Sequence, residues 1–131
     1  MKKLSLLNLI VLVTLLISLT TVQADTLAGV ADGGLRQNAV ICNIFNAGPG
    51  DVTITSIQIL NKSGTAYQVT PGGSNCGTVL SAGTSCGYGV SVNNIGVNAC
   101  RIVINPSGAN VRGLMTVRDS SENVIASVEL R

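Results

Sequence analysis

Four cysteines are the residues best placed to do chemistry: Cys42, Cys76, Cys86 and Cys100, with 33, 9 and 13 residues between successive members. A close Cys-x-x-Cys pair would point to thiol exchange or zinc. No pair is that close, and the chain has no histidine to complete a mixed metal site. The apolar alternation puts Cys42, Cys86 and Cys100 on the core-facing parity of their strands, and Cys76 shares parity with Leu80. Sulfurs aimed into a core read as cross-links, so two disulfides are expected. Four cysteines allow three connectivities. Cys42–Cys100 with Cys76–Cys86 is favoured. The second pair would close a short hairpin over "CGTVLSAGTSCG", with Gly83 in its turn. The first would tie an early strand to a late one, as between the sheets of immunoglobulin sandwiches.

Catalytic groups are scarce. Without histidine there is no Ser-His-Asp or Cys-His pair and no imidazole base. Lys62, in a turn beside Gly64, is the one lysine outside the N-terminal leader described below. Asp119 and Glu122 are close enough in "DSSEN" to suggest a glycosidase-like pair or a calcium loop, but the segment lacks the ligand density of a calcium loop. It reads as a solvated hairpin tip. "NKS" at Asn61 fits the N-glycosylation pattern, whereas Asn105 precedes Pro106 and does not. The Gly-rich pieces "GVADGG" and "CGYG" open no helix and carry no following lysine, so they are not phosphate cradles. The expectation is a protein that is not an enzyme and uses no cofactor or metal.

These residues are delivered by a chain with an export leader. Lys2 and Lys3 precede a mostly apolar stretch from Leu4 to Leu19, and "TTVQA" sets Val22 and Ala24 at the small-residue positions of a signal-peptidase site. The apolar run is shorter than a bilayer span, with no stop-transfer cluster behind it. Cleavage is expected between Ala24 and Asp25, giving a secreted or periplasmic product with no stable membrane insertion. The chain has eight Lys+Arg and six Asp+Glu; losing Lys2 and Lys3 leaves 8 − 2 = 6 of each and no net charge. The remaining arginines are scattered, and no aromatic ladder accompanies them, so no nucleic-acid partner is expected.

From Gln37 onward, short alternating runs are separated by Gly, Asn, Ser and Pro, the pattern of an all-β chain of seven or eight strands. Val40, Cys42 and Ile44 share one face. Val52 and Ile54 give way to Ile57 and Ile59, a parity change that predicts a bulge near Thr55–Ser56. Tyr88, Val90 and Val92 align with Cys86, and Ile102 and Ile104 with Cys100. Val111, Gly113, Met115 and Val117 align, leaving Arg112, Thr116 and Arg118 outward. Val124, Ala126, Val128 and Leu130 align in the last run, joined to the one before by the "DSSEN" loop. A weaker pair is expected around Tyr67–Thr70 and Thr78–Leu80. The Gly-rich "DTLAGVADGGLRQ" is poorly patterned. The domain reading is a signal peptide over 1–24, an irregular arm or first strand over 25–37, and one sandwich over 38–131.

"CNIFNAGPGDVTITSIQI", "CGTVLSAGTSC", "ACRIVI" and "VRGLMTVRDSSENVIASVEL" together resemble the bacterial choice-of-anchor (Hydin-type) immunoglobulin-like domains, through the Asn46–Gly48 turn and the Leu80–Gly83–Cys86 spacing. The layout is also similar to small exported bacterial proteins of unknown function. The resemblance spans about residues 38–131. It implies an immunoglobulin-like antiparallel β-sandwich used for binding or scaffolding, with no catalytic residue to carry over. The functional expectation is an exported, monomeric, non-catalytic module for an unknown protein or glycan. The alternatives are a pilin-like subunit of a surface assembly and, last, a carboxylate-based hydrolase. As a donor strand, "DTLAGVADGG" offers Leu27 and Val30 before stalling on glycines.

Overall fold

The computed structural model describes residues 24–69, 73–93, 95–106 and 110–131. Apart from Ala24, the expected leader lies outside the described residues. Eight strands follow in order: β1 (Asp25–Asp32), β2 (Ala39–Asn46), β3 (Val52–Leu60), β4 (Val79–Leu80), β5 (Ser85–Ser91), β6 (Val97–Asn105), β7 (Val111–Arg118) and β8 (Val124–Leu130), with one 3-10 turn at Gly34–Arg36. They form two four-stranded antiparallel sheets, β1-β6-β3-β4 and β5-β2-β7-β8, packed as an immunoglobulin-like sandwich.

The period of two in each strand sends alternate side chains into the space between the sheets. Val40, Cys42 and Ile44 of β2 are buried there against Ile59 of β3, Ile102 and Ile104 of β6, and Met115 and Val117 of β7. With no tryptophan and one phenylalanine, this core is almost wholly aliphatic. The parity change in β3 is a bulge: Ile54 pairs with Ile104 and Ser56 with Val103, leaving Thr55 as the extra residue. The bulge keeps both Ile54 and Ile59 inward.

The Gly-rich start is a regular strand. β1 runs antiparallel to β6 without interruption from Asp25↔Ile104 to Asp32↔Val97. Its glycines make room for neighbours. A Cβ on Gly29 would meet Leu130 Cδ2 at 2.7 Å, and one on Gly113 would lie 2.7–2.9 Å from three carbons of Leu130. Leu130 of β8, buried, therefore sits where two glycines on opposite sheets leave space. Backbone bonds fasten the same edge, with Ala28 N–H donating to Arg131 O at 2.9 Å and Arg131 N–H to Ala28 O at 3.0 Å.

Four local expectations are corrected or refined. Val124 is 54% exposed instead of aligned with the core, because a register shift between Val117 and Arg118 brings Ile125 to the core side. Thr116 is on the outer face but only 6% exposed, in register between Ile41 and Ser127. Residues 76–86 are not a hairpin. β4 pairs with β3 in one sheet and β5 with β2 in the other, so the segment crosses between sheets. Tyr67 lies outside any strand, next to an isolated Leu60↔Ala66 bridge; Thr70 falls outside the described residues.

Candidate binding face

Cys42, Cys86 and Cys100 are buried as the alternation puts them, whereas Cys76 lies before β4, outside any strand. Cys42 and Cys100 are fully buried and bonded to each other, joining β2 to β6 across the sandwich. Cys76, half-buried, is bonded to Cys86 of β5. Both sulfur pairs are cross-links, and no free cysteine remains.

Polar chemistry near the turns is spent on structure. Asn46, fully buried at the end of β2, donates through Nδ2 to Gly50 O at 2.8 Å and to Leu80 O at 3.0 Å, while its Oδ1 accepts from Gly48 N–H at 3.0 Å. Asp51 Oδ1 accepts from Ala82 N–H, fastening the same two turns together. Ser81 O accepts from Thr84 N–H across a turn in which Gly83 has φ +73°, a conformation that favours glycine. At the other end Asn98, also fully buried, accepts from Tyr67 Oη at 3.0 Å and donates to Gln37 Oε1 at 3.2 Å. Asn61 Oδ1 accepts from the N–H groups of Ser63 and Thr65, holding its own turn.

Asp119 and Glu122 are brought together only as neighbours in the β7–β8 loop. Asp119 Oδ1 accepts from Ser121 N–H at 2.9 Å and Asn123 N–H at 3.0 Å, and Glu122 adopts φ 64°. Partial burial raises the Asp119 pKa. Bonds from the backbone and side chain of Asn123 and from Ser121, with the Arg36 charge, outweigh it and hold the carboxyl below its ordinary value. Among the described residues no three His, Cys, Asp or Glu side chains form a group able to hold a metal ion.

The outer face of β5-β2-β7-β8 carries what the core does not use. Phe45 and Leu114 stand 43% and 42% exposed, on parity that the alternation reserves for polar residues. In register, Phe45 lies between Ser85 and Arg112, Leu114 between Asn43 and Glu129, and Ile41 beside Gly89. Asn43, Phe45, Ser85, Arg112, Leu114 and Glu129 line a shallow pocket of about 320 Å³. Beside it Gly87 and Gly89, at outward positions of β5, line a second shallow pocket with Ile41, Ser74 and Asn75. The sequence signal for this face is visible in retrospect: Phe45 in "NIFN" and Leu114 in "RGLMT" are large apolar residues off the core parity.

Among the described residues no helix is long and apolar enough to cross a membrane. The chain matches no protein-family model, and no curated protein is similar enough to stand as a relative.

Proposed function

We propose that the chain is an exported, non-catalytic binding or structural module that engages a protein or glycan through the outer face of β5-β2-β7-β8. The observation that carries this reading is that Phe45 and Leu114, half-exposed at diagonal positions of β2 and β7, line one pocket with Asn43, Arg112 and Glu129. An aromatic and an aliphatic surface within a rim of hydrogen-bonding groups is the usual make-up of a recognition patch. Export is supported by the leader pattern, by two disulfides, which persist in oxidising compartments, and by β1 opening at Asp25, so that cleavage after Ala24 leaves the sandwich whole. The choice-of-anchor resemblance points the same way.

The test is a glycan array and an envelope-extract pull-down with the oxidised protein, run beside Phe45→Ala/Leu114→Ser. A ligand held by the parent and lost by the variant, at unchanged stability, supports the face. Equal capture by both removes it. The pilin-like reading gains from β1 being a full edge strand, but here β1 is paired within its own chain.

A further inference from the structure

Edge strands present unpaired backbone and are guarded by charge, proline, bulges, shortness or a cover. β4 is two residues long. β1 exchanges backbone bonds with Arg131 across its edge, and β8 carries a bulge and Glu129 and is followed by Arg131. β5 has neither charge, proline, bulge nor shortness to guard it. "SCGYGVS" contains no charge and no proline, and its pairing to β2 runs unbroken from Ala39↔Ser91 to Phe45↔Ser85.

What guards β5 is a separate piece of chain, residues 73–76. Gly89 N–H donates to Gly73 O at 2.5 Å, Asn75 N–H to Gly87 O at 3.1 Å, and Gly87 N–H to Asn75 Oδ1 at 2.6 Å, around a Ser74↔Tyr88 bridge. This strap takes up the N–H and carbonyl of Gly87 and the N–H of Gly89, and the Cys76–Cys86 disulfide pins its end to β5 itself. The two disulfides differ in access. Cys42 and Cys100 are sealed in the core, whereas Cys76 is half-buried at the surface.

We propose that Cys76–Cys86 is a redox lock on the β5 edge, and that its reduction by a dithiol lets β5 pair with β5 of a second copy of this chain. The dithiol's thiolate attacks Cys76 Sγ and Cys86 leaves as a thiolate. The second thiol of the reductant then displaces Cys76 and closes the reductant's own disulfide. Two electrons and two protons end on Cys76 and Cys86 as thiols. The freed strap uncovers an uncharged edge. Antiparallel β5–β5 pairing about a two-fold axis extends each four-stranded sheet into one of eight strands, with Ser85 of one copy facing Ser91 of the other.

The test treats the full mature chain with dithiothreitol at a level that opens Cys76–Cys86 and spares Cys42–Cys100, verified by mass mapping. The oxidised protein sediments as a monomer. The reduced protein, and Cys76→Ser/Cys86→Ser without reductant, sediment as dimers. At dilutions where the dimer dissociates, amide exchange at Gly87 and Gly89 rises about tenfold or more, as expected for local opening. Ser85→Lys/Ser91→Lys, which sets like charges opposite each other, keeps the faster exchange but holds the reduced protein monomeric. A reduced chain that stays folded and monomeric overturns the proposal, whether or not exchange at Gly87 and Gly89 changes. So does global unfolding on selective reduction, or an oxidised chain that already dimerises.

Discussion

Asn46 shows how one side chain holds two turns. Its buried amide satisfies two carbonyls and one N–H, and the bond to Leu80 O is itself buried. Asn46→Ala removes all three bonds and is expected to cost about 2–3 kcal/mol in urea unfolding, because buried groups left without partners cost more than an ordinary bond contributes. Asp119 acts similarly at the opposite loop, with a pH signature. Its pKa is depressed in the folded chain. Its contribution is therefore complete above the unfolded-state pKa and disappears as pH falls through the lower, folded one. Carboxyl NMR should show Asp119 titrating below the ordinary aspartate value. Asp119→Asn should flatten the acid limb of loop protection, read as amide exchange at Ser121 and Asn123 against pH.

At the scale of the element, Leu130 and its two glycines explain most of what alternation left unread. "DTLAGVADGG" looks poorly patterned because Gly29 stands at an inward position where a larger residue would collide with Leu130. The missing side chain is supplied from β8, nearly the whole chain away. Gly113→Ala should destabilise by about 1–3 kcal/mol, since the added methyl meets Leu130 at Cβ, Cγ and Cδ1 together. Gly29→Ala should cost less, because the nearest atom, Cδ2, is the movable end of the side chain. Combining Gly113→Ala with Leu130→Ala should be less harmful than the sum of the two, a non-additivity measurable by denaturant titration. Other elements were plain in the residues. The β3 bulge follows from the parity change after Ile54, and the Gly83 turn from its composition. The mistaken hairpin over residues 76–86 has a different cause. Alternation says which side chains face inward but not which sheet a strand joins, and β4 and β5 join different ones. The candidate face was similarly half-legible: Phe45 and Leu114 stand out only once both neighbouring strands are known.

For the whole molecule, an aliphatic core in a domain of about a hundred residues leaves cross-links a large share of the net stability. In the chain-entropy model, the loop of 58 residues closed by Cys42–Cys100 contributes about 4 kcal/mol and the loop of 10 closed by Cys76–Cys86 about 3 kcal/mol. Net stabilities of small domains are about 5–15 kcal/mol. Cys42→Ala/Cys100→Ala should therefore lower the urea-derived stability by about 4 kcal/mol or more and leave a partly unfolded population at body temperature.

The seam between β1 and β6 also governs timing. Asp25 waits for Ile104, and Ala28 for Arg131, so the first strand has no partner until most of the chain has been synthesised. Pairings that distant in sequence form late and slowly. A nascent chain of this topology therefore holds β1 unpaired until β6 and the residue after β8 have emerged, so its N-terminal seam is the last part of the sandwich to close.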